Sequence, residues 1–186
     1  PGDIMKIQQC DLFIYGGGES EKWVDSILSS LDENVSTVKM MEAVELCEEE
    51  HDHSEHEEHS HEEEYDEHVW TSPLNAIEIV KAISSELQKA DAENAEIYAE
   101  NTDKYVSVLS ELDSEFENMI NNSAKKTIVI GDRFPLMYFT KRYSLSYDSA
   151  FPGCSAQTEA NPATMARLVD KIREEDIPVV FKMDLS

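Results

Sequence analysis

All six histidines of this chain, His51, His53, His56, His59, His61 and His68, fall within eighteen residues, among carboxylates that begin at Glu48-Glu49-Glu50. No other feature constrains the fold as strongly. From Glu48 to Glu67 there is no apolar periodicity, and like charges at this density cannot be buried together. The run is therefore expected to be a solvated, disordered loop between two foldable segments. Twelve acids and no base lie between Glu48 and His68. The whole chain carries 40 acids against 15 bases, a net charge of −25, so the remainder keeps 28 against 15, or −13. A field of that sign repels nucleic acid and anionic lipid and concentrates cations. Cationic partners are therefore expected, and nucleic acid is not.

At 186 residues and 40% apolar content, the chain suits one ordinary domain or two small lobes. Cys10, Cys47 and Cys154 are widely spaced without a CxxC pair, so neither a disulfide framework nor a zinc knuckle is indicated and their redox state stays open. No run approaches the roughly 18 apolar residues of a membrane span, and no basic-then-apolar leader is present. The chain opens on a helix-like turn at Pro1-Gly2-Asp3-Ile4 and stops just after Val179-Val180-Phe181. We expect it to be cut at both ends, with any signal segment outside it.

The patterned segments predict α/β architecture. Cys10 to Tyr15 is a short apolar run that breaks at Gly16-Gly17-Gly18, as a buried strand entering a loop does. Trp23, Val24, Ile27, Leu28 and Leu31 form a helical stripe within 19–31, and Val35 to Met40 is the next strand, which gives a parallel β-α-β order. The glycine triplet lacks GxGxxG spacing and the Lys-Ser/Thr of a phosphate loop, so a tight turn is the better reading. After the acidic run, Ser72-Pro73 supplies an N-cap and a proline at N1, and Leu74, Ile77, Val80, Ile83 and Leu87 are the expected buried face. A second helix over about 92–120, roughly 40 Å long, reads as a strut between lobes. Beyond it, a strand at 127–130, a turn at Gly131-Asp132-Arg133, a helix through Met137 to Tyr143, a strand at 145–151, a helix at 163–174 and a strand at 178–181 repeat the grammar. The expected organisation is an N-terminal lobe, 1–91, carrying the disordered loop 48–67, then a linking helix, 92–123, and a C-terminal lobe, 124–186.

The histidine run is the strongest chemical signal, because neutral imidazole is a leading ligand for Zn²⁺, Cu²⁺ and Ni²⁺ and carboxylates add ligands and field. Ordering a flexible loop costs about 1–2 kcal/mol per residue, which favours modest affinity and loose metal choice over a tight site. The plain alternative is a solvated linker. His68 differs, since Val69-Trp70 is expected to pack and Ser72-Pro73 to cap a helix, which fixes its backbone. Spacing leaves open whether it is a defined ligand or simply the last histidine of the loop. Asp132, at the carboxyl end of a strand, reads as a ligand, a general base or a turn residue. Cys154 and Glu159 are ligand candidates or loop residues, and Asp184 is a weaker cleft candidate. Without GxSxG, HExxH or a histidine outside the run to serve Cys154, no enzyme is expected.

Four stretches together, Cys10 to Tyr15 with Gly18-Glu19, the histidine-acid loop, Asp66-Glu67-His68-Val69-Trp70-Thr71-Ser72-Pro73, and Ile128 to Tyr143, carry a resemblance. The chain resembles the cluster A-I solute-binding proteins of ABC transporters for zinc and manganese. The resemblance implies two α/β lobes bridged by one rigid helix, with the metal held between lobes by four side chains, His68 among them, and the loop histidines as accessory collectors. It also implies a third ligand three residues before an aromatic. Counting back from Phe134 lands on Gly131, so Asp132 is adjacent but out of register, and Glu159 or Cys154 could serve instead. The remaining two ligands are expected outside this chain. The implied role is a monomeric, extracytoplasmic component, in the periplasm or as a cell-surface lipoprotein, that delivers Zn²⁺, or secondarily Mn²⁺, to a membrane permease. A metal-buffering or metal-sensing protein is the second reading and a metal-dependent hydrolase the third.

Overall fold

The structure, a computed structural model, describes residues 2–48, 65–151 and 161–183. It divides into two compact units, Pro1–Leu46 with Ser72–Glu115, and Cys47–Thr71 with Phe116–Ser186.

The first unit begins with helix α1 (Gly2–Ile7), followed by strand β1 (Leu12–Tyr15), helix α2 (Trp23–Leu28) and strand β2 (Ser36–Lys39). β1 and β2 pair in parallel, Leu12 opposite Ser36 and Tyr15 opposite Lys39. The β-α-β unit is therefore formed, with Val24, Ile27 and Val38 buried, although Trp23 of the expected stripe is 58% exposed. Helix α3 (Pro73–Ala90) packs on both strands. Ser72 occupies the N-cap position in extended conformation, but its side chain makes no capping bond. The buried face of α3 matches the expected one except at Leu74. Pro73, Ile77, Ile79 and Ser84 are buried, whereas Leu74 is 42% exposed. Val80, Ile83 and Leu87 are partly buried, and the buried Ser84 Oγ accepts from Thr102 Oγ1 at 2.6 Å and from Gln88 Nε2 at 3.0 Å. Thr102 lies on helix α4 (Ala95–Asn121), a 27-residue helix of about 40 Å whose residues belong to the first unit up to Glu115. Of its apolar stripe, Leu109 and Ile120 are buried, while Tyr105, Val108, Leu112 and Met119 face solvent.

In the second unit, strands β3 (Thr127–Ile130) and β4 (Ser146–Ser149) are again parallel, Thr127 opposite Ser146. Between them lies helix α5 (Met137–Tyr143), and after them helix α6 (Pro162–Glu174), where Asn161 accepts the Ala163 N–H at 2.9 Å and Pro162 starts the helix. The strand expected at 178–181 is reduced to one parallel bridge from Phe181 to Ile130. Its bonds, Gly131 N–H to Phe181 O and Phe181 N–H to Val129 O, are both 2.8 Å, while Val179 and Val180 stay exposed. Val129, Ala150 and Leu168 form the core with Phe151, Ile172 and Ile177. Phe134 is fully buried and stacks on Tyr147 with ring centroids 3.8 Å apart. Asp148 lies under α6. Burial works to raise its pKa, but two bonds from Arg167 at 2.6 and 2.8 Å and one from Lys171 at 3.2 Å prevail and hold it below the usual carboxylate range.

The segment Cys47–Thr71 groups with this second unit, whereas the sequence reading assigned it to the N-terminal lobe. The physical reason is Tyr138 of α5, whose hydroxyl donates to Asp66 O at 2.8 Å and accepts from Cys47 N–H at 3.2 Å. Among the described residues, no helix is long and apolar enough to cross a membrane.

Candidate metal centre

The ends of the acidic run form a neck. Glu48 and Tyr65 make an antiparallel bridge, and Asp66 N–H donates to Cys47 O at 2.9 Å. The Tyr138 hydroxyl then pins both sides at once. Burial foremost pushes the Tyr138 phenol up to about 12. The Cys47 amide opposes this, and the thiol of Cys47 and the carboxylate of Asp66 add to it. The phenol is therefore protonated throughout the physiological range and available as a donor.

Two residues beyond the neck stands His68, held on both sides. Its backbone N–H donates to Asp66 Oδ1 at 2.8 Å, the local bond that an aspartate makes two residues on. Its carbonyl accepts the Thr71 N–H at 3.1 Å and the Thr71 hydroxyl at 2.8 Å. Val69 is fully buried, and α5 packs against the short turn Val69–Thr71. Trp70 does not pack as expected. It is 51% exposed, its ring tilted against that of His68 with centroids 5.7 Å apart. Val69 alone of the pair anchors the turn.

The imidazole orientation comes from Asp66. This residue, inside a run expected to be solvated, is 1% exposed. A buried carboxylate must be hydrogen-bonded, and Asp66 Oδ1 lies 3.2 Å from His68 Nδ1 as well as accepting the backbone N–H. With Nδ1 as the donor, Nε2 carries the lone pair, the arrangement in which a carboxylate orients a metal-binding histidine and raises its basicity. The His68 side chain is 24% exposed, so solvent and ions can reach it. Asp66 is the residue of this candidate site that composition concealed. The signal for it was local, an aspartate two positions before a histidine whose backbone must be fixed.

Asp132 follows β3, and its Oδ1 accepts the N–H of the next residue, Arg133, at 2.8 Å. Among the described residues, no three or more histidine, cysteine, aspartate and glutamate side chains converge in a way that would hold a metal. His51, His53, His56, His59 and His61, together with Cys154, Glu159 and Asp184, lie outside the described residues. After β1, Gly17 adopts φ +93 and its N–H donates to Glu21 Oε2 at 2.8 Å. A carboxylate of the chain itself thus occupies the donor that an anion would need, in keeping with a tight turn.

Residues 1–185 match the family described as zinc-uptake complex component A, periplasmic. The high-affinity zinc uptake system protein ZnuA of Bacillus subtilis is 32% identical over 190 residues, covering 100% of this chain and 59% of that protein. The zinc-binding lipoprotein AdcA of Streptococcus pneumoniae is 30% identical over 185 residues, 96% of this chain and 36% of the relative. The crystal structure of the Zn(II)-bound ZnuA-like domain of S. pneumoniae AdcA superposes with a TM-score of 0.73 at 25% identity, covering 98% of this chain and 64% of that one. A Mn-bound periplasmic metal binding protein from Candidatus Liberibacter asiaticus shares the fold, with a TM-score of 0.79 at 19% identity over all of this chain and 66% of that one. This chain therefore spans about three-fifths of the length of the B. subtilis relative. Its parallel α/β units and its match over 1–185 lead to one conclusion: the chain belongs to the ZnuA family of metal solute-binding proteins.

Proposed function

We propose that this chain forms the greater part of the extracytoplasmic substrate-binding component of a zinc ABC transporter, which captures the ion and hands it to a membrane permease. The observation that supports this best is His68, presented with its Nδ1 engaged by a buried carboxylate in a chain of the zinc-uptake family. Zn²⁺ is the favoured cargo because imidazole suits it, and the same position in a carboxylate-rich ligand set would accept Mn²⁺. His51, His53, His56, His59 and His61 act as a low-selectivity collector, Asp132 is a second candidate ligand, and α4 serves as the strut between lobes. The component works as a monomer, in the periplasm or as a lipid-anchored surface protein, and catalyses nothing.

Zinc titration of the intact protein and of its His68→Ala variant tests this reading. Loss of the tightest site with survival of the weaker ones is expected, and a retained tight site would remove the basis of the proposal. The histidine-rich run supports a second reading, metal buffering without a transporter. Buffering predicts that His68→Ala lowers capacity by one ion among several equals and leaves no distinct tight phase to lose.

A further inference from the structure

We propose that Tyr138 is a positioning residue for the metal-ligating histidine, acting through the Asp66 backbone to set the tautomer and orientation of the His68 ring. This rests on the reading of His68 as a ligand. The chain of contacts is continuous. Tyr138 is 3% exposed on α5, and its hydroxyl donates to Asp66 O at 2.8 Å while accepting from Cys47 N–H at 3.2 Å. Asp66 N–H in turn donates to Cys47 O at 2.9 Å. Asp66 is thereby held at both its amide and its carbonyl, and its Oδ1 is left to engage the His68 amide at 2.8 Å and Nδ1 at 3.2 Å.

The chemistry explains why a phenol stands there. A single hydroxyl both donates and accepts, so it can satisfy a carbonyl from one side of the neck and an amide from the other. It does so at the tip of a rigid ring fixed by the helix. Phenylalanine would keep the packing and leave both backbone groups without that partner. Buried backbone groups seek new partners when one is removed. Any shift that re-pairs Asp66 moves the carboxylate on which the single Nδ1–H tautomer depends. The residue that aims the imidazole is therefore, in part, 72 positions away in sequence.

Tyr138→Phe tests this in the intact protein, with Thr140→Val as a control. Thr140 is buried on the same helix, and its hydroxyl donates to Leu136 O and Met137 O, away from the neck. The first readout is the ¹⁵N spectrum of the His68 ring in metal-free protein, where Tyr138→Phe is expected to lose the single Nδ1–H tautomer and Thr140→Val to keep it. The second is zinc competition against a chelator, where the tight site should weaken about tenfold, the lower end for residues that orient a ligand, and only in Tyr138→Phe. An unchanged tautomer and unchanged zinc affinity in a folded Tyr138→Phe protein would overturn the proposal. Equal changes in both variants would reduce Tyr138 to a packing residue and overturn it likewise.

Should Tyr138→Phe fail to fold, the native chain answers the same question in a urea series. The Cys47 amide and the His68 tautomer are expected to be lost at one urea concentration, and loss of the tautomer while that amide remains protected would overturn the proposal. His68→Ala, measured alongside, separates the two ideas. If it binds zinc as tightly as the native protein, the ligand reading fails. If it loses the tight site while Tyr138→Phe keeps it, only the positioning role fails.

Discussion

Replacing Asp66 separates charge from shape at the candidate site. In the native chain its carboxylate is 1% exposed and one oxygen serves two donors, the His68 amide at 2.8 Å and Nδ1 at 3.2 Å. Hydrogen bonds to a charged group contribute about 1.5–3 kcal/mol each, offset in part by the cost of burying the charge. Asp66→Ala removes both and leaves the His68 amide without that acceptor, so we expect a loss of about 2–4 kcal/mol in unfolding free energy. Asp66→Asn has the same shape and can still accept the backbone bond, so its stability loss should be about 1 kcal/mol. Metal affinity should rank differently. Residues that orient a metal-binding histidine typically contribute 10–100-fold, and Asn, which cannot raise the basicity of the ring as a carboxylate does, should already lose about tenfold. Urea unfolding of the metal-free proteins and chelator competition for zinc give the two numbers. Native affinity in Asp66→Asn, or native stability in Asp66→Ala, would refute the assignment of Asp66 as the group that aims His68.

Three further outcomes follow from the geometry. Glu48 and Tyr65 face each other across an antiparallel bridge, so residues 49–64 can be replaced by an Asn-Gly turn, the pair that suits a two-residue hairpin. Calorimetric zinc titration of that variant should show the tight site retained, the weak sites gone, and stability within about 1 kcal/mol of native. Asp148 has a folded pKa below its unfolded value, so its contribution is present above about pH 4 and is lost as pH falls through the folded value. Arg167→Ala should cost about 1–3 kcal/mol near neutrality, discounted because Arg167 is largely exposed, and the variant should show a shallower loss of stability on acidification below pH 4. Because the Tyr138 phenol is raised to about 12, it stabilises the fold below about pH 10 and that share is lost as pH rises toward 12, so alkaline unfolding should be steeper for the native chain than for Tyr138→Phe.

Much of this was legible in the sequence, for reasons that differ from residue to residue. β1, α2 and β2 follow from local period and glycine punctuation, and both parallel pairs follow from strand-helix-strand order. His68 stood out because Val69 and Ser72-Pro73 must be folded. What was not legible depends on contacts distant in sequence or on which of two neighbouring residues is buried. Asp66 sits in a run whose composition says solvent, and it is buried because Tyr138 reaches it across 72 positions. Leu74 is exposed while its neighbour Pro73 is buried, and Trp70 is exposed although Val69 beside it is not. The strand expected at 178–181 has the right residues but pairs at one position. For Asp132, the side chain bonds the adjacent Arg133 N–H, and nothing in the spacing decides between a turn role and ligation.

In the proposed function, His68 binds the ion through Nε2 while Asp66 holds Nδ1. X-ray anomalous scattering at the zinc edge from crystals of the zinc-loaded intact protein tests it most directly. The account predicts a zinc peak about 2.0–2.1 Å from His68 Nε2, the normal zinc–imidazole distance, with Nδ1 still bonded to Asp66. A fully occupied tight zinc site with the His68 ring free, or coordinated through Nδ1 with Asp66 displaced, would contradict it.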